Sequence, residues 1–241
     1  MSLPRSDSPQ DTRPAAPVVV IAAKDRVGRL AARHPQATRV FARHRIDYCC
    51  GGALTLEEAC ERVGADVRVV ADEITQEIAR DAEVPSVEGL DAGQLIDLLL
   101  TNYHEPLRQE LARLDGMAQK VWRVHAEVDG ERLRNLAVAV AELQDDLLPH
   151  MHKEEQVLFP MIEAGHGTMA VGPISVMQRD HDTTGGILRR IRELTNDFKV
   201  PGDACMTWRA LWTSLERLEQ AIHEHIHIEN NVLFPKALHG E

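Results

Sequence analysis

Aromatic residues make up only 4% of this 241-residue chain, and alternating β-branched runs are nearly absent. A sheet would need such runs to face a core, so with Leu, Ala, Glu and Arg dominant the expected fold is all-α. No run approaches the roughly 20 apolar residues that cross a bilayer, which predicts a soluble protein without a membrane partner. Lys/Arg blocks, zinc-finger spacings and recognition-helix signatures are missing, and a net charge of -11 makes repulsion from phosphate the default, against a nucleic-acid partner. Ala15 to Ala23 could imitate a secretory signal, yet it follows Asp7, Asp11 and several prolines and contains no leucine. Four cysteines, two of them adjacent, do not make a small disulfide framework. A chain this large, 44% hydrophobic, builds its core without such staples, and the expected compartment is the reducing cytoplasm.

What the chain does have is a motif written twice. His150-Met-His-Lys-Glu154-Glu-Gln-Val-Leu-Phe-Pro160 and His225-Ile-His-Ile-Glu229-Asn-Asn-Val-Leu-Phe-Pro235 each hold a histidine and a glutamate four residues apart, on one face of a helix. Each copy follows an upstream histidine in an apolar helical pattern: His104 lies 46 residues before His150, and His181 lies 44 before His225.

Residues 1–17, rich in Pro, Ser, Asp and Arg, read as a disordered tail. Residues 18–80 read as a small helical N-terminal domain. Its patterns run through Val27, Leu30 and Ala31, through Val40, Phe41 and Ile46 up to Cys49-Cys50-Gly51-Gly52, through a capping box at Thr55 and Glu58, and from Asp66 through Val69, Val70, Ile74 and Ile78. Residues 81–92 read as a linker, and 93–241 as an up-down-up-down four-helix bundle. Its helices are expected near 94–128, 131–164, 173–197 and 203–238, with breaks at Asp129-Gly130, Gly165 to Gly172 and Val200-Pro201-Gly202. Pro106 and Pro149 fall inside these helices, where a proline costs roughly 3 kcal/mol and kinks its helix.

All four histidines sit on apolar stripes. His104 shares its face with Leu100, Leu107 and Leu111, His181 with Ile174, Met177 and Leu188, His225 with Leu218, Ala221 and Ile222, and His150 with Val157 and Met161. One such histidine is ordinarily a hydrogen-bonded core residue. Four together, with two glutamates that no inward Lys or Arg pairs, call for cations, because each buried unpaired carboxylate costs several kcal/mol. Imidazole and carboxylate donors without thiolate suit iron, and bundle cores are a known home for carboxylate-bridged di-iron. If Glu154 and Glu229 each bridge two irons roughly 3.5 to 4 Å apart and each iron takes two histidines, every metal has four protein ligands. An oxo or hydroxo bridge then still leaves room for a small ligand such as O2 or NO.

His152 and His227 are expected in solvent or behind the ligands, and His34, His44, His125, His166, His223 and His239 at the surface. Asp146 and Asp180 are candidates to orient a ligand imidazole or relay protons, with a solvated helix face as the alternative. Cys60 and Cys205 are expected as small core residues. For Cys49 and Cys50, spacing alone leaves structural packing and redox or ligand-transfer chemistry both open.

Ile46-Asp-Tyr-Cys-Cys-Gly-Gly52 with Leu56 and Cys60 resembles the ScdA-type N-terminal domain. The segments His152-Lys-Glu-Glu-Gln-Val-Leu-Phe-Pro-Met-Ile162, Gly172-Pro-Ile-Ser-Val-Met177 and Glu229-Asn-Asn-Val-Leu-Phe-Pro235 resemble the hemerythrin-like domain of the RIC (repair of iron centres) di-iron proteins. The resemblance covers essentially residues 24 to 241. It implies di-iron ligands at His104, His150, Glu154, His181, His225 and Glu229, the set already chosen by spacing. It also implies a cytoplasmic protein that restores iron-sulfur clusters after nitrosative or oxidative damage, with damaged iron-sulfur proteins as clients; monomer and homodimer both stay open. The diferrous site would bind NO, and Cys49 and Cys50 would act in redox, NO or iron transfer from a mobile domain. The family's acidic positions map to Asp146 and Asp180. Two other functions stay open: a module that buffers or senses NO or O2, and an enzyme that reduces NO to N2O.

Overall fold

Four short helices open the described part of the chain, residues 19–81 and 84–240 of a computed structural model; the tail expected over 1–17 lies outside the described residues. They are α1 (Val27–Arg33), α2 (Ala37–His44), α3 (Leu56–Val63) and α4 (Val67–Arg80). The capping box forms as expected: Glu58 N–H donates to Thr55 Oγ1 at 3.2 Å, and Thr55 N–H to Glu58 Oε2 at 2.9 Å. Gly64, with φ +70°, ends α3 in the left-handed region that glycine adopts without strain. Asp66 caps α4 by accepting from Arg68 N–H at 2.8 Å. Val27, Val40, Phe41, Ile46, Tyr48, Leu56, Val70 and Ile74 form the core of this unit. Among the described residues the nearest thing to a sheet is a single antiparallel bridge between Arg26 and Thr55. Residues 84–91 then run over α1, where Ser86 Oγ donates to Ala32 O at 2.9 Å.

The bundle begins at α5 (Ala92–Leu99), capped by Asp91, and continues through α6 (Glu105–Lys153), α7 (Phe159–Glu163), α8 (Val171–Leu194), α9 (Met206–Ile228) and α10 (Phe234–His239). At about 1.5 Å per residue, a straight helix would hold His104 and His150 roughly 70 Å apart. The chain instead folds back within α6, where His125 (φ -114°) and Asp129 (φ -152°) leave the helical region, beside the expected break at Asp129-Gly130. Both halves of α6 pack on α8 and α9 through Leu107, Leu111, Leu114, Leu136, Val140 and Leu143. A 3-10 turn, Gly167–Met169, fills the second break, and residues 195–205 make the third.

Three π-helical turns interrupt the bundle helices, at Leu100–His104, Glu154–Leu158 and Glu229–Leu233. Each is followed at the second position by a proline: Pro106, Pro160 and Pro235. A proline lacks the N–H that an α-turn requires and clashes with the carbonyl four residues back. The wider turn avoids this, because Glu105, Phe159 and Phe234 donate instead to the carbonyls of Leu100, Glu154 and Glu229, five residues back. Pro149 behaves differently from expectation and sits within α6 without taking the local backbone out of the helical region. Both it and Asp145, whose carbonyl it leaves without a donor, lie on the exposed face, where water can satisfy that carbonyl.

The first consequence of the π-turns is a change of register. Val157, expected on the stripe of His150, is 55% exposed, and Leu158 takes the inward place. The second is a polar layer between two apolar cores. On one side lie Leu107, Leu147, Met151, Leu188, Ile222 and Ile226, and on the other Leu99, Leu158, Phe159, Ile174, Met177 and Phe234.

Candidate metal centre

Within that layer the structure brings together all six residues singled out from the repeat. His104, Glu154, His181, His225 and Glu229 have no exposed surface and His150 has 1%. Glu154 points one oxygen at each of two positions: Oε2 lies 3.5 Å from His104 Nε2 and Oε1 lies 3.2 Å from His150 Nε2. Glu229 does the same in the opposite sense, with Oε1 3.0 Å from His225 Nε2 and Oε2 3.1 Å from His181 Nε2. Two four-residue groups result, His104/His225 and His150/His181, each completed by both carboxylates, with donor atoms all within 4.8 Å of one another. Each histidine pair therefore takes one member from each copy of the motif, so neither copy builds a complete position alone.

The outer nitrogens fix how the rings face. His104 Nδ1 donates to Glu155 Oε1 at 2.8 Å, and Arg108 holds the same oxygen at 2.5 Å. His150 Nδ1 donates to Asp180 Oδ2 at 3.4 Å, and Lys153 pairs with that carboxylate. His181 Nδ1 donates to Asn230 Oδ1 at 3.0 Å. With Nδ1 as the donor, Nε2 keeps its lone pair for a metal. His150 Nε2 and His181 Nε2 then face each other at 3.1 Å as two acceptors, an arrangement that repels unless a cation stands between them. His225 Nδ1 has no hydrogen-bond partner, and its ring lies stacked near Tyr103 at 6.0 Å. Phe159 stacks over His104 at 5.6 Å and Phe234 over His181 at 6.1 Å, so the phenylalanine of each motif copy screens the upstream histidine of its own copy from water.

Both oxygens of Glu154 and of Glu229 are buried without a hydrogen-bond donor. Burial and the neighbouring Glu229 push the Glu154 carboxyl above its ordinary range. Burial acts the same way on Glu229, but His225 and His181 outweigh it and hold that carboxylate ionised. His104 is pulled down to about 4 by burial and by His225. Burial also lowers His150, but Glu154, Glu229 and Asp180 overcome it and lift the ring to about 9. Protons would thus compete with any metal for one coupled set of donors. Orphaned carboxylate oxygens, convergent Nε2 atoms and the absence of thiolate fit two divalent first-row metals and suit iron. They do not fit a closed structural zinc site.

Residues outside the expected set also shape the site. Glu155, Asn230, Arg108 and Tyr103 carried no signal of their own, although aligning the two motif copies pairs Glu155 with Asn230 directly after the glutamates. Asp146 accepts from Thr184 Oγ1 at 2.6 Å, whereas Asp180 meets the His150 ring. His152 is exposed, but His227 is only 3% exposed and packs against Tyr48 at 5.5 Å, under the N-terminal unit. His223 likewise lies half-buried beside Tyr48 at 6.4 Å. Cys60 is buried as expected; Cys205 is not a core residue but an exposed one directly before α9.

The cysteine pair lies on the loop between α2 and α3. Cys49 is buried, Cys50 is exposed, and their sulfurs stand 4.0 Å apart as free thiols. Asp47 Oδ1 accepts from the backbone N–H of both, at 3.2 and 2.9 Å. The hydrogen bond with Cys50, burial and Asp47 together hold the Cys49 thiol well above its ordinary value, so it is protonated where it sits.

Residues 95–237 match the family model of the Hemerythrin HHE cation binding domain, and residues 23–78 match the ScdA_N model, a Domain of Unknown function (DUF542). The chain is 43% identical over 218 residues to the Iron-sulfur cluster repair protein YtfE of Enterobacter sp. (strain 638), covering 89% of this chain and 97% of that protein. It is 40% identical over 215 residues to the protein of the same name from Yersinia pseudotuberculosis serotype IB (strain PB1/+), with the same two coverages of 89% and 97%.

Proposed function

Because the chain belongs to the hemerythrin HHE family of iron-sulfur cluster repair proteins, we propose that it repairs iron-sulfur clusters damaged by nitrosative or oxidative stress. In this reading two irons are held by His104, His150, Glu154, His181, His225 and Glu229. The observation that carries it is the placement of one oxygen of each buried carboxylate at each of the two histidine pairs. With four protein donors at each position, two histidines and both carboxylates, coordination places would remain unfilled, and bound iron would supply redox chemistry and a place open to NO or O2.

The residues divide the remaining work. Glu154 and Glu229 span the two positions and offset the metal charge. Glu155, Asp180 and Asn230 hold three rings in the tautomer that leaves Nε2 free. Phe159, Phe234 and Met177 keep water from the layer. Cys49 and Cys50, on a loop seated against the residues that follow Glu229, are assigned to receive iron or NO leaving the site. Donors that are all neutral imidazole or carboxylate release iron more readily than a thiolate cage would, which suits donation to a client cluster. No helix among the described residues is long and apolar enough to cross a membrane, and a cytoplasmic setting is part of this proposal.

Iron analysis and Mössbauer spectroscopy on the wild type and Glu154→Ala test the site. About two irons per chain are expected in the wild type, lost together on the single substitution. Mixing the iron-loaded protein with a cluster enzyme inactivated by NO tests the function: activity should return only when iron is bound. Recovery with metal-free protein would overturn repair by iron donation. Catalytic N2O release without client recovery would instead make the protein an NO reductase.

A further inference from the structure

The side-chain amide of Asn230 makes two bonds in opposite directions. Its Oδ1 accepts from His181 Nδ1 at 3.0 Å, and its Nδ2 donates to the backbone carbonyl of Cys49 at 3.3 Å. One planar group therefore joins a ligand ring of the bundle to the cysteine loop of the N-terminal unit. We propose that Asn230 is a positioning residue that couples the seating of the Cys49–Cys50 loop to the His181 imidazole, so that loop and metal stabilise each other. The proposal rests on His181 being a metal ligand.

The neighbouring residue shows how the loop is seated. Asn231 Nδ2 donates to Cys49 O at 2.9 Å and to Tyr48 O at 3.3 Å. Its amide lies in a socket whose walls are Gly28 and Gly52: a Cβ on Gly52 would stand 2.6 Å from Asn231 Cγ, and one on Gly28 would stand 2.7 Å from it. A side chain at either glycine would drive the Asn231 amide from its bonds to Tyr48 O and Cys49 O and so loosen the seat of the loop on the π-turn. With the loop lifted, Asn230 Nδ2 loses its acceptor, the amide is free to rotate, and its hold on the His181 tautomer weakens. His104 has no such dependence, because Glu155 holds its Nδ1 and Arg108, from the bundle itself, holds Glu155. Linkage makes the effect reciprocal: iron at the His150/His181 position should favour the seated loop by the same factor by which the seated loop favours iron there.

The full-length protein loaded with ferrous 57Fe tests this. Iron release to a chelator is measured together with alkylation of Cys49, read by peptide mass, in the wild type, Gly52→Ala, Asn230→Ala and the double variant. Asn231→Ala, which empties the socket without adding atoms, replaces Gly52→Ala should that variant misfold. Roughly tenfold faster release of one of the two irons is expected in each single variant, the usual cost of losing a partner behind a ligand ring. Iron should slow Cys49 alkylation in the wild type but not in Asn230→Ala, and one of two Mössbauer environments should shift. The double variant should release iron no faster than either single one, because both cuts fall on the same path. Exposed Cys49 in Gly52→Ala with unchanged iron release, or additive effects in the double variant, would overturn the coupling while leaving the ligand set intact. A wild type that binds no iron overturns both.

Discussion

The two copies of the motif carry the same histidine and glutamate pair in opposite surroundings. In the first copy His152 is exposed and Val157 is 55% exposed; in the second, His227 is 3% and Val232 is 4% exposed. The difference is the N-terminal unit: α1 packs on α9 and on the π-turn that begins at Glu229, so one copy is roofed and the other faces solvent. The residue after each glutamate follows suit, as salt-bridged Glu155 on the open side and the neutral amide of Asn230 beneath the cysteine loop. The donor set is near-symmetric between the copies, and the difference lies in the groups around it. One copy anchors its upstream histidine within the bundle, and the other anchors it to a separate unit.

The largest expected effect tests what the copies share. Glu154→Ala and Glu229→Ala should each lose both irons, since either carboxylate serves both positions; retention of one iron in either variant would show that one position does not need both carboxylates. Next comes the roof. An aspartate at position 232 buries an unpaired charge and should cost about 3 kcal/mol or more, measured by denaturant unfolding. The same change at position 157 should stay within about 0.5 kcal/mol, because that side chain already faces water. Equal costs would mean that the motif copies are covered alike. Third, Glu155→Ala and Asp180→Ala remove acceptors behind His104 and His150, which belong to different positions. Each should weaken one iron about 10- to 100-fold, and calorimetric or competitive titration should find the weakened metal to be a different one in the two variants.

The convergence of these six side chains could be read from the chain because a His-x-x-x-Glu face needs only regular helix geometry, and the repeat pointed to the same residue types twice. The supports could not. On a regular helix the residue after Glu154 or Glu229 turns about 100° away from it, so the spacing that selects the glutamates does not select Glu155 or Asn230. The π-turns are what change the register after Glu154 and Glu229, and their cause is a proline two residues beyond each turn. Prolines by themselves did not mark them, since Pro106 follows a π-turn and Pro149 does not. Exposure does not separate the two, because both prolines and the residues four before them face solvent. The crossed pairing of His104 with His225 and of His150 with His181 was hidden because it depends on which helices become neighbours. The short helices of the N-terminal unit were legible at Thr55 and Asp66, where capping is local chemistry, whereas the burial of His227 under Tyr48 is a long-range contact that no local pattern announces.

The smallest effect offers the finest test of whether the roof and the roofed copy fold together. Asp66 caps α4, which packs on α2 and α3 on the far side of the unit from the metal layer, so Asp66→Ala should cost about 1 kcal/mol without touching the bundle. All three tryptophans, Trp122, Trp208 and Trp212, belong to the bundle, so their fluorescence reports its unfolding alone, while far-ultraviolet circular dichroism reports every helix. The seated Asn231 and the buried Val232 and His227 predict one cooperative transition. Both probes should then fall together by about 2–4 °C. A separate early loss of helix with the tryptophan midpoint unmoved would show that the roof contributes nothing to the copy beneath it, and the contrast between the two copies would then be one of solvent exposure and not of stability.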